Sequence, residues 1–127
     1  MRSLLLPLVP VVLVLAACGG DDDASSDPGS EGAATPSADA VRVVAQDISF
    51  PEDAYEADAG AVEFVYENEG NTLHTLVIED VGGFELTVRS NGDVDTGSVE
   101  LEPGEYTLFC DVPGHRPAGM VADLVVR

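Results

Sequence analysis

The segment FCDVPGHRPAGM, residues 109–120, contains a cysteine, a histidine and a methionine at even spacing. Four residues separate Cys110 from His115, and four more separate His115 from Met120. A second histidine, His74, lies upstream, and the chain has two histidines in total. The only methionine besides the initiator also belongs to this set. A single loop can therefore present three metal-binding side chains from one side, with a fourth supplied from elsewhere in the fold.

These four side chains match the requirements of a mononuclear blue-copper site, which uses one thiolate, two imidazoles and a weakly bound axial thioether. Zinc is the weaker candidate because it prefers four firm nitrogen, oxygen or sulfur donors, and the thioether of Met120 would be an unusual choice. Each side chain also has an ordinary structural explanation on its own, as a small core cysteine, a surface histidine or a packed methionine. Their joint spacing favours a metal site over four unrelated roles.

The N-terminus has the layout of a secretory signal peptide. One basic residue precedes an apolar run, residues 4–15, that is too short to span a membrane as a helix. The sequence LAAC, residues 15–18, resembles a bacterial lipobox, in which cleavage precedes a lipidated cysteine. We therefore expect residues 1–17 to be removed and Cys18 to carry a lipid. The alternative is an ordinary signal peptide, with Cys18 later paired to Cys110.

The segment after the expected cleavage site has the composition of a tether. Residues 18–40 are mostly small and acidic, with no large apolar side chain. Such a segment cannot bury enough surface to fold, so we expect a flexible connection between the anchor and the domain. The remaining residues, 41–127, suffice for one small domain with a single core. The sequence thus predicts an extracytoplasmic domain held at the cell membrane by its lipid anchor alone.

The charge of the predicted domain is strongly negative. Residues 41–127 contain 18 acidic residues and four arginines, a formal charge of −14, and the whole chain carries −19 with no lysine. This charge argues against nucleic acid or an anionic membrane surface as a binding partner. It allows steering toward a basic redox protein such as a cytochrome or an oxidase. It is equally explained by solubility, a salty habitat or a biased genome.

Apolar residues in the domain recur mostly at every second position, and turn residues recur at short intervals. This pattern predicts an all-β sandwich or barrel. Apolar and polar side chains alternate in residues 62–67 and 84–89, as in half-buried strands. Further strands are expected at residues 41–50, 73–79, 105–110 and 120–127. Asn91-Gly92 and Pro103-Gly104 predict turns between strands. No stretch has a helical stripe, and only a short turn is expected within residues 51–58.

The alternation also predicts which way the candidate ligands point. Cys110, Met120 and His74 are each in phase with apolar residues of their own strands, so all three are expected to face inward at strand ends. The loop between the cysteine and the methionine contains two prolines and two glycines. Prolines fix some backbone angles and glycines permit unusual ones, which suits a rigid loop that positions His115.

Residues 41–127 resemble the small blue copper proteins, or cupredoxins, which include plastocyanin and azurin. The resemblance rests on NEGNTLHTLVIE, residues 68–79, and on residues 109–120, whose spacing is most similar to rusticyanin and sulfocyanin. It implies a Greek-key β-sandwich of about seven to eight strands. It also implies one type 1 copper ion with four ligands: His74, Cys110, His115 and Met120. Many members have asparagine after the first histidine, where this chain has Thr75, and rusticyanin-like members have a hydroxyl residue there.

The resemblance implies a monomeric carrier of single electrons between redox proteins, with transfer by way of the exposed edge of the His115 ring. The alternative is a carrier that delivers copper to an exported oxidase. An adhesion sandwich with accidental ligands does not explain the joint spacing. Enzyme functions are disfavoured because a copper reductase or oxidase needs further histidines and a paired-copper site needs two cysteines in the loop. A Cys110–His115 nucleophile pair has no evident orienting partner, so we expect no catalytic activity.

Overall fold

The computed structural model describes residues 35–127. The expected signal peptide, the lipidation site Cys18 and most of the expected tether lie outside these described residues. Within residues 35–127, no helix has the length and apolar character needed to cross a membrane.

Strands dominate the described part of the chain, as the period-two pattern predicts. In chain order the elements are β1 (Val41–Ala45), β2 (Ala54–Ala57), β3 (Gly60–Asn68), β4 (His74–Ile78), β5 (Glu85–Val88), β6 (Val94–Leu101), β7 (Gly104–Phe109), α1 (His115–Ala118) and β8 (Val121–Val126).

The strands form two sheets. One sheet has the order β1-β3-β6, and the other has the order β2-β8-β7-β4-β5. The pairs β1–β3 and β2–β8 are parallel, and the remaining pairs are antiparallel. Neighbours in the sheets are often distant in the sequence, because the chain crosses repeatedly from one sheet to the other. The predicted all-β, Greek-key sandwich of seven to eight strands is confirmed.

The core contains side chains from both sheets. Those exposed by 1% or less include Val43, Phe64 and Tyr66 of the three-stranded sheet and Leu76, Leu108 and Leu124 of the five-stranded sheet. Burial of each large apolar side chain contributes roughly 1.5–3 kcal/mol relative to exposure, so this core holds the two sheets together. The strands that end in the candidate ligands are therefore anchored in the most buried part of the domain.

Two strands were not expected from the sequence. Residues 54–57 form β2, an edge strand with one buried side chain, where we expected only a short turn. Strand β6 was not predicted, because Leu101 is its only buried residue and an alternating apolar face is missing. A Cβ on Gly97 of β6 would lie 3.0 Å from the Leu86 side chain, so a larger residue where this strand crosses β5 would require that side chain to shift.

The first strand is shorter than expected, and one short helix is additional. Strand β1 ends at Ala45 rather than at residue 50, because Asp47 adopts a left-handed conformation with φ of 47° and the chain turns there. Gln46 and Ser49 close that turn as an isolated antiparallel bridge. The helix α1 spans four residues of the loop in which we expected only irregular structure.

Candidate metal centre

The four predicted ligands lie at the ends of neighbouring elements. His74 is the first residue of β4, and Cys110 directly follows β7. His115 is the first residue of α1, and Met120 directly precedes β8. Strands β4 and β8 both run antiparallel to β7. The starts of β4 and β8 therefore lie at the same end of the sheet as the end of β7. The topology therefore brings these residues to one end of the sandwich.

Backbone hydrogen bonds fix the loop that contains three of them. The Cys110 N–H donates to the Met120 carbonyl at 3.1 Å, and the Met120 N–H donates to the His115 carbonyl at 3.1 Å. The glycines on either side of α1 both have positive φ, 89° at Gly114 and 117° at Gly119. Residues other than glycine rarely adopt such angles, so the two glycines allow the sharp turns into and out of α1.

Three of the predicted side chains converge on one point. The Nδ1 atoms of His74 and His115 are 3.2 Å apart, and the Cys110 Sγ lies 3.5 Å from the His115 Nδ1. The potential ligand atoms of the three residues all lie within 4.8 Å of one another, and all three residues are buried. Within residues 35–127, Cys110 is the only cysteine and forms no disulfide. Two nitrogens and one sulfur thus surround a common position.

Met120 is fully buried in the core beside these residues. Its backbone carbonyl accepts a hydrogen bond from the Cys110 N–H. This hydrogen bond holds the backbone of Met120 beside that of Cys110, just after the end of β7. The expectation that His74, Cys110 and Met120 face inward agrees with their burial. Their role as copper ligands remains a prediction.

The surroundings favour a neutral imidazole at His74. Burial is the main cause that holds the pKa of His74 below its usual value, and the nearby His115 lowers that pKa further, against an opposing influence of Asp47. A histidine must be neutral to bind a metal ion, so this environment suits a ligand. Tyr66 stabilises the same strand, since its buried hydroxyl donates to the Thr75 carbonyl at 3.1 Å.

The residues present fit a copper ion. A soft sulfur and two imidazole nitrogens are the donors that copper prefers in a trigonal site. The His74 Nε2 is buried without a hydrogen-bond partner among the described residues. That nitrogen is not one of the converging atoms: if the His74 Nδ1 bound a metal, the neutral ring would carry its hydrogen on the Nε2.

Two residues near the cluster were not singled out as functional from the sequence. Asp111 follows the cysteine, and its carboxylate accepts a hydrogen bond from the Thr75 hydroxyl at 2.6 Å. Arg116 of α1 lies with its guanidinium 4.2 Å from the centre of the Phe109 ring and forms an ion pair with Glu79 at 2.7 Å. These contacts join separate parts of the chain across the sheet, so no local sequence signal could have revealed them.

The fold and the cluster together define a class, that of β-sandwich proteins with a cysteine and two histidines at one end that could hold a metal ion. The family model described as "Cupredoxin-like domain" matches residues 11–122, which is most of the chain. The protein therefore belongs to the cupredoxin-like domain family.

Solved structures share the same fold. The dithionite-reduced auracyanin from the photosynthetic bacterium Roseiflexus castenholzii superposes with a TM-score of 0.62 at 14% identity, covering 72% of this chain and 99% of the auracyanin. Auracyanin B gives a TM-score of 0.59 at 20% identity, covering 73% of this chain and 91% of its own. No curated protein sequence matches the chain. The recognition of a cupredoxin from residues 68–79 and 109–120 is confirmed.

Proposed function

We propose that this protein is a type 1 copper protein, tethered to the outer side of a cell membrane, that carries single electrons between redox proteins. The observation that supports this most directly is the convergence of the His74 and His115 Nδ1 atoms and the Cys110 Sγ at one buried end of the sandwich. Membership of the cupredoxin-like family supports the same function. One structural neighbour is described as reduced by dithionite, which is a redox treatment of that protein.

The residues of the cluster divide the work of holding the ion. Bound copper would supply a one-electron couple. His74 and Cys110 would bind it from the ends of β4 and β7, and His115 would bind it from the loop. Met120, which is buried and whose carbonyl accepts the Cys110 N–H, would supply a weakly held thioether. Because these side chains lie at strand ends and in a loop fixed by backbone hydrogen bonds, they should move little when the charge of a bound ion changes.

His115 is the ligand best placed to pass electrons to a partner. His74 and Cys110 are fully buried, whereas His115 is 8% exposed. It is therefore the one of the three converging residues with measurable solvent exposure, and the resemblance to cupredoxins implies transfer by way of its ring edge. We propose that a redox partner docks over this edge.

The partner we propose is a basic redox protein such as a cytochrome or an oxidase. The domain has a formal charge of −14 over residues 41–127 and no lysine, so a positively charged partner would be attracted over a long range. The association rate should then fall steeply as salt is added, because salt screens exposed charges. The tether, residues 18–40, and the lipid on Cys18 would keep the domain near membrane-bound partners. We propose no enzymatic step.

The absorption spectrum of the copper-loaded protein tests the proposal. A thiolate bound to oxidised copper in a trigonal site gives an intense visible charge-transfer band, so the protein should be blue, should bleach on reduction, and should lose the band in Cys110→Ser. Met120→Leu is the matched control, because it removes only the axial donor and should leave the protein blue with a raised reduction potential. A colourless copper-loaded wild type would refute the site.

A second measurement separates electron transfer from copper delivery. Stopped-flow oxidation of the reduced protein by a soluble cytochrome should be rapid, and copper should stay bound when a metal-free acceptor protein is added. Slow electron exchange together with transfer of copper to the acceptor would show that the protein delivers copper and would refute the electron-transfer function.

A further inference from the structure

The Thr75 hydroxyl lies between two acceptors of different strength. Its oxygen is 2.6 Å from the Asp111 Oδ1 and 3.6 Å from the Cys110 Sγ. Thr75 is 6% exposed, so its surroundings are largely fixed by the protein. A hydroxyl carries one hydrogen and can donate it to only one of these two acceptors. The position of that hydrogen decides whether the cysteine sulfur receives a hydrogen bond from this side chain.

The distances place the hydrogen on the Asp111 side. A separation of 2.6 Å is typical of a hydroxyl that donates to a carboxylate, which is a strong, charge-assisted hydrogen bond. Sulfur is a weak acceptor, and 3.6 Å is a long contact. The Asp111 N–H also donates to the Thr75 oxygen at 3.0 Å, so two hydrogen bonds link Thr75 to this one residue. The Thr75 N–H, at 3.4 Å, is left as the donor that this residue gives to the sulfur.

We propose that Asp111 is a positioning residue that keeps the Thr75 hydroxyl hydrogen away from the Cys110 sulfur and thereby lowers the reduction potential of the copper site. This inference rests on the function proposed above. The potential of a blue-copper site depends on hydrogen bonds to the cysteine sulfur. Such a bond favours the reduced state, because the sulfur then donates less electron density to the metal and holds more negative charge itself.

The negative charge of Asp111 acts in the same direction. A carboxylate near the site favours the more positive, oxidised ion, although Asp111 is exposed and solvent screens its charge. A test must therefore separate the allocation of the hydroxyl hydrogen from the effect of the charge. A double-mutant cycle does so, because the charge is lost equally whether or not the hydroxyl is present.

The cycle consists of wild type, Asp111→Ala, Thr75→Val and the double variant, all copper-loaded and measured by voltammetry at one neutral pH. Asp111→Ala frees the hydroxyl to donate to the sulfur and should raise the potential. In the Thr75→Val background the same substitution should raise it less. The difference between the two increases should correspond to about a fivefold change in the equilibrium constant for reduction of the copper site, the equivalent of one ordinary hydrogen bond. Thr75→Val alone should leave the potential near that of wild type.

Two further variants keep the inference testable if the valine substitution disturbs folding. Thr75→Ser retains a hydroxyl and should behave as wild type in the cycle. Asp111→Asn removes the charge but keeps an acceptor oxygen, so it should raise the potential less than Asp111→Ala does. Vibrational spectra give an independent readout: transfer into heavy water should shift the copper–sulfur stretching bands more in Asp111→Ala than in wild type.

Equal increases in potential in the two Thr75 backgrounds would show that Asp111 acts by charge alone and would overturn the inference. A lowered potential in Thr75→Val alone would also overturn it, since the hydroxyl would then already donate to the sulfur. Both results can be obtained only if the copper-loaded wild type is blue, which shows that the site has formed. A colourless copper-loaded wild type would instead contradict the proposed function, so the two failures are distinguishable.

Discussion

The glycine before the loop histidine allows a controlled test of how the protein holds its metal-binding loop. Gly114 has φ of 89° and precedes His115, whereas Gly83 has φ of 83° and lies in the turn between β4 and β5. A Cβ added at either position would meet no atom within 4 Å. Gly114→Ala and Gly83→Ala therefore both introduce backbone strain without a steric clash, and they differ in where the strain falls.

The expected loss of stability is similar for the two variants. A left-handed conformation costs a residue other than glycine about 1–2 kcal/mol. The reduced freedom of the unfolded chain offsets about 0.4–1 kcal/mol of that cost. A net loss of about 1 kcal/mol lowers the melting temperature of a domain of this size by about 4–8 °C. Thermal unfolding of the metal-free proteins measures this loss.

Copper should separate the two variants. In metal-free Gly114→Ala the loop can relieve its strain by moving His115 away from His74, and copper binding must then reverse that movement. Copper affinity should therefore fall by up to the full strain of about 1–2 kcal/mol, or about 5–30-fold, whereas Gly83→Ala should bind copper as wild type does. Titration against a competing chelator measures the affinities. Equal affinities for the two variants would refute the reasoning, because the strain at Gly114 would then not reach the site.

Two further predictions concern the contacts around the site. Glu79→Gln removes only an exposed ion pair and should lower the free energy of unfolding by about 0.2–1 kcal/mol. Arg116→Gln also removes the contact between the guanidinium and the Phe109 ring, so it should cost about 0.5–1 kcal/mol more. Thermal unfolding at low and high salt checks this, and equal losses would show that the stacking contributes nothing. Because the pKa of His74 is lower in the folded than in the unfolded state, its protonation favours unfolding. The metal-free protein should therefore lose stability as pH falls below about 6.5, and His74→Gln should lose less over the same range, as seen by denaturant unfolding at several pH values. The same slope in both proteins would contradict the assignment to His74.

The sequence predicts the elements whose side chains alternate cleanly. Strands β5 and β8 bury every second residue, and β3 does so apart from the additional burial of Val65. The phase of β8 places Met120 inward, and Cys110 is inward in phase with Leu108 of β7. The inward orientation of these ligands depends on local periodicity and on the spacing within one loop. Their convergence also requires that β4 and β8 both pair with β7, which the periodicity does not specify.

The remaining features depend on tertiary contacts. Strand β6 leaves Val94 53% exposed and has no buried stripe, so its strand conformation comes from pairing with β3 rather than from its own pattern. The helix α1 has four residues and forms between two left-handed glycines, too short a segment for a helical period to be recognised. The hydrogen bond between Thr75 and Asp111 joins residues 36 positions apart, and only the pairing of β4 with β7 brings them together.

The distribution of these contacts indicates which property each part of the site controls. Cys110 and His74 are held at the ends of strands whose side chains lie in the core, so substitutions in the loop should disturb them little. His115 depends on a four-residue helix and its flanking glycines, so the loop should determine copper affinity. Thr75 lies beside the sulfur and is hydrogen-bonded to Asp111, so this pair should change the ratio of the affinities for oxidised and reduced copper, which sets the potential. A change in the loop that weakens binding of both oxidation states equally should leave the potential unchanged, so measuring both quantities distinguishes the two kinds of substitution.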